Sequence, residues 1–382
     1  MFRTAHFGSR LTSAARSIPA RRLARLLALG AAFAGCASEA GPTCAAAPHA
    51  DPGPHAAGVI TLDVDGVPVE VWYPADPDAT VGAPRDVYDM REALPAEMRA
   101  QIPADAPTRF ETDAVREAPV AEGRFAVVLF SHGLGGFRQQ SSFLGTHLAQ
   151  HGFVVAAPEH PERNLAAVLA EDELSDEAVP QLRAALAALA DEDARAGAIL
   201  EGAVDAGRVG LVGHSAGGGA VGALVDADDF DARAWVGLAT IAAPRAPVPG
   251  LIVGGTRDML AVPETVARGY EDLPHDDKRY VSIAGAGHLA FTDICTIGRA
   301  QGGVLQIARD AGIEISDLVL QLGSDGCGPE DLPAEDAWPV IRHYTTAHLT
   351  AALGEDAASP TGLEPESAAC FDPRVASYRS AE

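Results

Sequence analysis

Apolar positions along this chain fall into two kinds of run. Residues 125–130, 153–157, 209–212 and 250–254 are short and unbroken, as expected of strands buried on both faces of a parallel sheet. Residues 58–63 and 67–73 instead alternate apolar with polar around Asp65-Gly66, which predicts an antiparallel hairpin. Two further strands are expected at 234–241 and 279–283. Helical stretches are expected at 137–151, 178–201 and 337–353, with a short one at 91–99 in the proline- and charge-rich segment 74–122. Strands that alternate with helices predict an α/β fold: a mostly parallel, doubly wound sheet with an N-terminal antiparallel hairpin, in one domain over 58–354. Residues 37–57, rich in Ala, Pro and His, read as a flexible tether, and 355–382 as a C-terminal tail. No internal repeat is visible.

One stretch organises the rest. The apolar run 209–212 stops at Gly213-His214-Ser215-Ala216-Gly217 and resumes as an Ala/Gly-rich helical segment. Strand, sharp turn and helix around G-x-S-x-G make a nucleophile elbow, with Ser215 exposed at the turn. Glycines two before and two after such a serine are expected to relieve crowding against it. The N–H of Ala216, at the helix start, is placed to stabilise negative charge. A serine hydroxyl needs a base, and the base an orienting acid. In α/β-hydrolases, to which this layout is similar, the order is Ser, acid, His in loops after strands. Asp258 in Gly254-Gly-Thr-Arg-Asp258 and His288 in Gly285-Ala-Gly-His288 occupy those places. Of twelve histidines, His288 alone follows the last predicted strand. Asp226, Asp228, Asp229 and Asp231 come too early and read as solvated capping residues. A second oxyanion donor is expected from His132-Gly133-Leu134-Gly135-Gly136, with Leu134 N–H as the candidate and glycines that let a carbonyl approach.

Composition adds location. Residues 1–36 carry six arginines and no acid, and 26–35 form an apolar run too short to span a bilayer, as in a signal peptide. The run ends Phe33-Ala34-Gly35-Cys36, which resembles a bacterial lipoprotein box. Lipidation of Cys36, with attachment to a membrane, is one outcome and an ordinary signal-peptidase site nearby the other. Without this segment 22 basic residues face 53 acidic ones, a net of −31, which repels nucleic acid and anionic headgroups. Cys44, Cys295, Cys327 and Cys370 remain, an even number suited to two disulfides in an oxidising compartment. Cys295–Cys327 is expected to close the segment after His288, and Cys44–Cys370 to tie the two tails to the domain.

At these motifs family resemblances emerge. Phe130-Ser-His-Gly-Leu-Gly-Gly-Phe-Arg138, Leu148-Ala-Gln-His-Gly-Phe-Val-Val-Ala-Ala-Pro-Glu-His160 and His288-Leu-Ala-Phe-Thr-Asp293 resemble the platelet-activating-factor acetylhydrolases. Gly213-His-Ser-Ala-Gly-Gly-Gly219 and the Ser215–Asp258–His288 spacing are similar to bacterial cutinases, polyester hydrolases and serine members of the dienelactone-hydrolase-like group. The resemblance implies an exported serine ester hydrolase working through an acyl-enzyme with no cofactor or metal. The acetylhydrolases place their acid after the preceding strand, where this chain has no carboxylate. Polyester hydrolases carry an aromatic clamp where this chain has Ala239-Thr-Ile-Ala-Ala-Pro244, which weighs against a polymer substrate. Residues 292–335 are longer than in cutinases and could form a partial lid. Loops near the site read as small and polar, so short or medium acyl esters are expected. Perhydrolysis, acyl transfer or polyester hydrolysis on the same residues, and a non-catalytic surface binding protein, are the competing functions. The oligomeric state is not legible.

Overall fold

The computed structural model describes residues 44–175, 177–354 and 361–381. The expected signal segment and Cys36 lie outside them. The predicted hairpin forms as β1 (Ala56–Val64) and β2 (Val67–Ala75), turning at Asp65-Gly66. The short strand β3 (Ala114–Arg116) pairs with β1. The apolar runs become β4 (Phe125–Ser131), β5 (Phe153–Pro158), β6 (Val204–His214), β7 (Ala232–Leu238), β8 (Gly250–Gly255) and β9 (Lys278–Ile283). Among the described residues the strands assemble in the order β10-β9-β8-β7-β6-β4-β5-β2-β1-β3, where β10 is Val375–Ser380. Pairing is parallel from β5 through β9 and antiparallel at β1–β2, β2–β5 and β9–β10. This is the α/β-hydrolase fold.

Helices α1 (Ser142–Gln150) and α8 (Ala334–Leu353) cover one face, α3 (Ala178–Ala194), α4 (Ala216–Val225) and α5 (Pro263–Asp272) the other. Leu144, Leu148, Tyr344 and Leu349 pack against the sheet from the first side, Leu182, Leu189, Val221 and Val266 from the second. Strands buried from both sides explain the unbroken apolar runs. α2 (Leu165–Ala170), α6 (Val304–Asp310) and α7 (Asp317–Ser324) lie outside these layers.

Three expectations are corrected. The helix expected at 137–151 starts at Ser142, because residues 137–141 form turns that close the loop before it. The described part of the tether, from Cys44, is packed: Ala47 is buried, and His49 lies between the rings of His151 and His343. The tail does not trail away but adds edge strand β10 beside β9. Both segments are fastened by Cys44–Cys370, with Cα atoms 5.7 Å apart. The predicted Cys295–Cys327 bridge also forms, at 5.0 Å.

Candidate active site

β6 carries its apolar run to the sheet's C-terminal edge and delivers Ser215 at φ 56°, ψ −122°, a strained conformation for a residue with a side chain. Ser215 caps α4, and its N–H donates to the Leu238 carbonyl at 2.9 Å, which locks the turn to β7. A Cβ on Gly213 would lie 2.3 Å from the Gly217 carbonyl oxygen, and one on Gly217 would lie 2.0 Å from that of Ser131. Gly213 is therefore demanded by the Gly217 backbone, and Gly217 by the end of β4. That corrects the expectation that they relieve crowding against the serine itself.

Asp258 follows β8 and His288 follows β9. His288 Nδ1 lies 2.9 and 3.1 Å from the two carboxylate oxygens of Asp258, and both side chains are buried. A carboxylate there keeps the proton on Nδ1 and leaves Nε2 free to accept. Asp258 Oδ1 also accepts from the N–H groups of Leu260 and Ala261, at 2.9 and 2.6 Å. The two loops are knit together: Arg257 N–H donates to the Ala286 carbonyl, and Gly285 N–H to Thr256 Oγ1, each at 2.9 Å. Ser215 and His288 border one pocket, whose wall includes Gly133, Leu134, Gly135 and Gly136. Ala216 opens α4, so its N–H has no carbonyl a turn earlier to bond.

The loop holding Leu134 is anchored from behind. Arg163 Nη1 donates to the His132 carbonyl at 2.7 Å, and Gly135 N–H to that of Arg163 at 2.9 Å. His132 Nε2 accepts from the His160 N–H, and His160 Nε2 from the Ser131 hydroxyl, at 3.1 and 2.9 Å. Burial pushes both imidazoles down, with the Arg163 guanidinium adding to it, so both are neutral, as these bonds require. His214, the residue before the serine, is also held neutral by burial and then by the neighbouring His288. Its Nδ1 accepts from Gln140 at 3.0 Å while its Nε2–H donates to the His288 carbonyl at 3.1 Å. One side chain thus ties the elbow, the loop after β4 and the His288 loop. Sequence reasoning passed over it, although it is the first variable position of the G-x-S-x-G pattern.

Asp325, in the segment after His288, was missed too. It is buried, and its carboxylate accepts from His288 N–H at 3.2 Å and Met259 N–H at 2.8 Å. Its carbonyl accepts from Leu289 N–H at 2.8 Å. Burial raises its pKa. It stands two residues before Cys327, so the Cys295–Cys327 bridge fastens the segment that braces both the Asp258 and His288 loops. No local signal in the sequence marks it. The same segment contributes Ile294, Val304, Leu305, Val319 and Leu322 to the wall of the pocket. The expectation of small, polar surroundings is corrected here, because the apolar residues come from helices distant in sequence.

A PET hydrolase-like family model matches residues 107–304, just over half of the chain. Cutinase 1 of Thermobifida cellulosilytica is 29% identical over 178 residues, 45% of this chain and 63% of its own. The cutinase of Thermobifida fusca (strain YX) is 29% identical over 178 residues, 55% of its length. Platelet-activating factor acetylhydrolase of Cavia porcellus is 47% identical over 51 residues, 13% of this chain and 12% of its own. The chain thus spans between 12% and 63% of the length of these relatives. The family match takes in Leu134, Ser215, Asp258 and His288 and stops short of Asp325.

Proposed function

The chain belongs to the PET hydrolase-like family, an ester hydrolase family, and from that premise we propose that it is an exported serine carboxylic-ester hydrolase acting on short-to-medium acyl esters. Ser215 Oγ attacks the ester carbonyl while His288 Nε2 takes its proton. Asp258 holds the imidazole in the right tautomer and stabilises the imidazolium that forms. The N–H groups of Leu134 and Ala216 stabilise the developing oxyanion. Collapse of this intermediate passes the proton from His288 to the leaving alcohol and leaves an acyl-serine. Water, activated by His288, then releases the acid and restores the enzyme.

The observation that carries this reading is the buried His288–Asp258 contact at 2.9 Å, with His288 bordering the same pocket as the strained Ser215. Export is supported by the two disulfides, which persist in oxidising compartments, and by the basic-then-apolar N-terminal segment. A small ester is favoured over a polymer because the insertion walls the pocket with apolar side chains, and because Ile241 and its neighbours supply no aromatic ring after β7. The test is product analysis on p-nitrophenyl butyrate. Equimolar acid and alcohol are expected, with turnover abolished by Ser215→Ala. Undiminished turnover in that variant would refute the assignment.

A further inference from the structure

Two apolar segments meet beside the site. One runs from Met90 through the short helix Ala96–Gln101 to Ile102, and the other is α6 with the chain leading into α7. Ile102, Ile307 and Ile313 bury against Leu94 and Met98 as a small core separate from those flanking the sheet. These residues line a groove that shares Met90, Leu165, Val304, Leu305 and Val319 with the Ser215 pocket, so the two adjoin each other. The groove's lining has two polar side chains, Arg91 and Thr108, and both are engaged by Asp89. Arg91 Nη2 donates to it at 2.5 Å and Thr108 Oγ1 at 2.7 Å. Every other lining side chain is apolar, so a polar ligand would give up its water there for few replacement hydrogen bonds, whereas a hydrocarbon chain would lose nothing. Much of the wall, Met90–Ile102 and Leu305–Val319, lies outside residues 107–304, so the family match does not supply it.

We propose that this groove is a binding site for the unbranched hydrocarbon chain of the substrate's acyl group, so that the enzyme prefers medium-chain acyl esters to acetyl esters. The inference rests on the serine-hydrolase reading above. The acyl half is the occupant because it stays bound between the two chemical steps, while the alcohol must leave and admit water. A groove walled in part by an insertion stapled through Cys295–Cys327 suits the half that stays.

The experiment measures kcat/KM for p-nitrophenyl esters from acetate to octanoate, and in parallel for acetate esters of lengthening alcohols. Active-site concentration comes from fluorophosphonate titration. The acyl series is expected to climb by up to about fourfold per methylene, and the alcohol series to stay flat. Ala308→Trp would fill the groove and Ile315→Asp would place a charge in it. Each is expected to lower the octanoate-to-acetate ratio at least tenfold, a ratio that does not depend on how much enzyme folds. A flat acyl series, a climb in the alcohol series instead, or wild-type ratios in both variants would overturn the proposal. Those results would come with full labelling. Absence of both labelling and turnover would instead overturn the serine-hydrolase reading and the groove assignment with it.

Discussion

Lowering the pH from 8 to 5.5 should destabilise this protein strongly, through histidines that the fold keeps neutral. His132, His147, His160, His214, His343 and His348 are all buried. Burial is the first cause in each and lowers every one of them, His160 to about 3 and His343 to about 4. In the unfolded chain each returns to about 6.5. Below that pH the unfolded chain binds protons that the folded one refuses, so stability falls as pH drops from about 6.5 toward the folded values. A histidine held near 4 loses about 1–2 kcal/mol at pH 5.5 relative to pH 8, and His160, His343 and His348 together roughly 4 kcal/mol. Asp293 acts in the opposite sense. Burial pushes it up to about 7, so it destabilises at pH 8 and gives back about 2 kcal/mol by pH 5.5. The histidines win: these three outweigh Asp293 by about 2 kcal/mol, and His132, His147 and His214, lowered in the same sense, add to the loss, against a domain's whole stability of about 5–15 kcal/mol. Urea unfolding with the disulfides intact should show the midpoint falling between pH 8 and 5.5. His160→Gln should reduce that loss by about 1–2 kcal/mol. An equal or higher midpoint at pH 5.5 would refute the reasoning.

Other expectations follow from single contacts. Asp258→Asn should keep the fold, read by circular dichroism, yet lower kcat by up to about 10⁴ because the wrong histidine tautomer is favoured. Activity close to wild type would mean that another group orients His288. Asp325→Ala removes the acceptor for His288 and Met259 N–H, and kcat is expected to drop roughly 10²-fold with KM little changed. Asp325→Asn, which keeps one acceptor, should recover part of it. Replacing Cys295 and Cys327 together by serine frees a loop with a sequence separation of 32, and should cost about 4 kcal/mol in denaturant unfolding.

What the sequence reveals follows from how local each feature is. The elbow needs only five consecutive residues, and its glycines are required by backbone contacts a few residues apart or at the next strand end. Asp258 and His288 are legible because each lies in the loop after a predicted strand, in the chain order Ser, acid, His. Strand β10 escaped notice because an edge strand is covered on one side, and Val375–Ser380 shows no clear alternation. Asp325, and the groove under α6, depend on an insertion folding back over loops distant in the chain. His214 was in view throughout. Its role appears only when Gln140 and the His288 carbonyl converge on its two nitrogens.

The central claim is that Ser215 is a nucleophile activated by His288. Mass spectrometry of the protein after reaction with a fluorophosphonate tests it most directly. One adduct is expected, on the peptide containing Ser215, forming far more slowly in His288→Ala. No adduct, or an adduct on a different serine in the folded protein, would contradict the account.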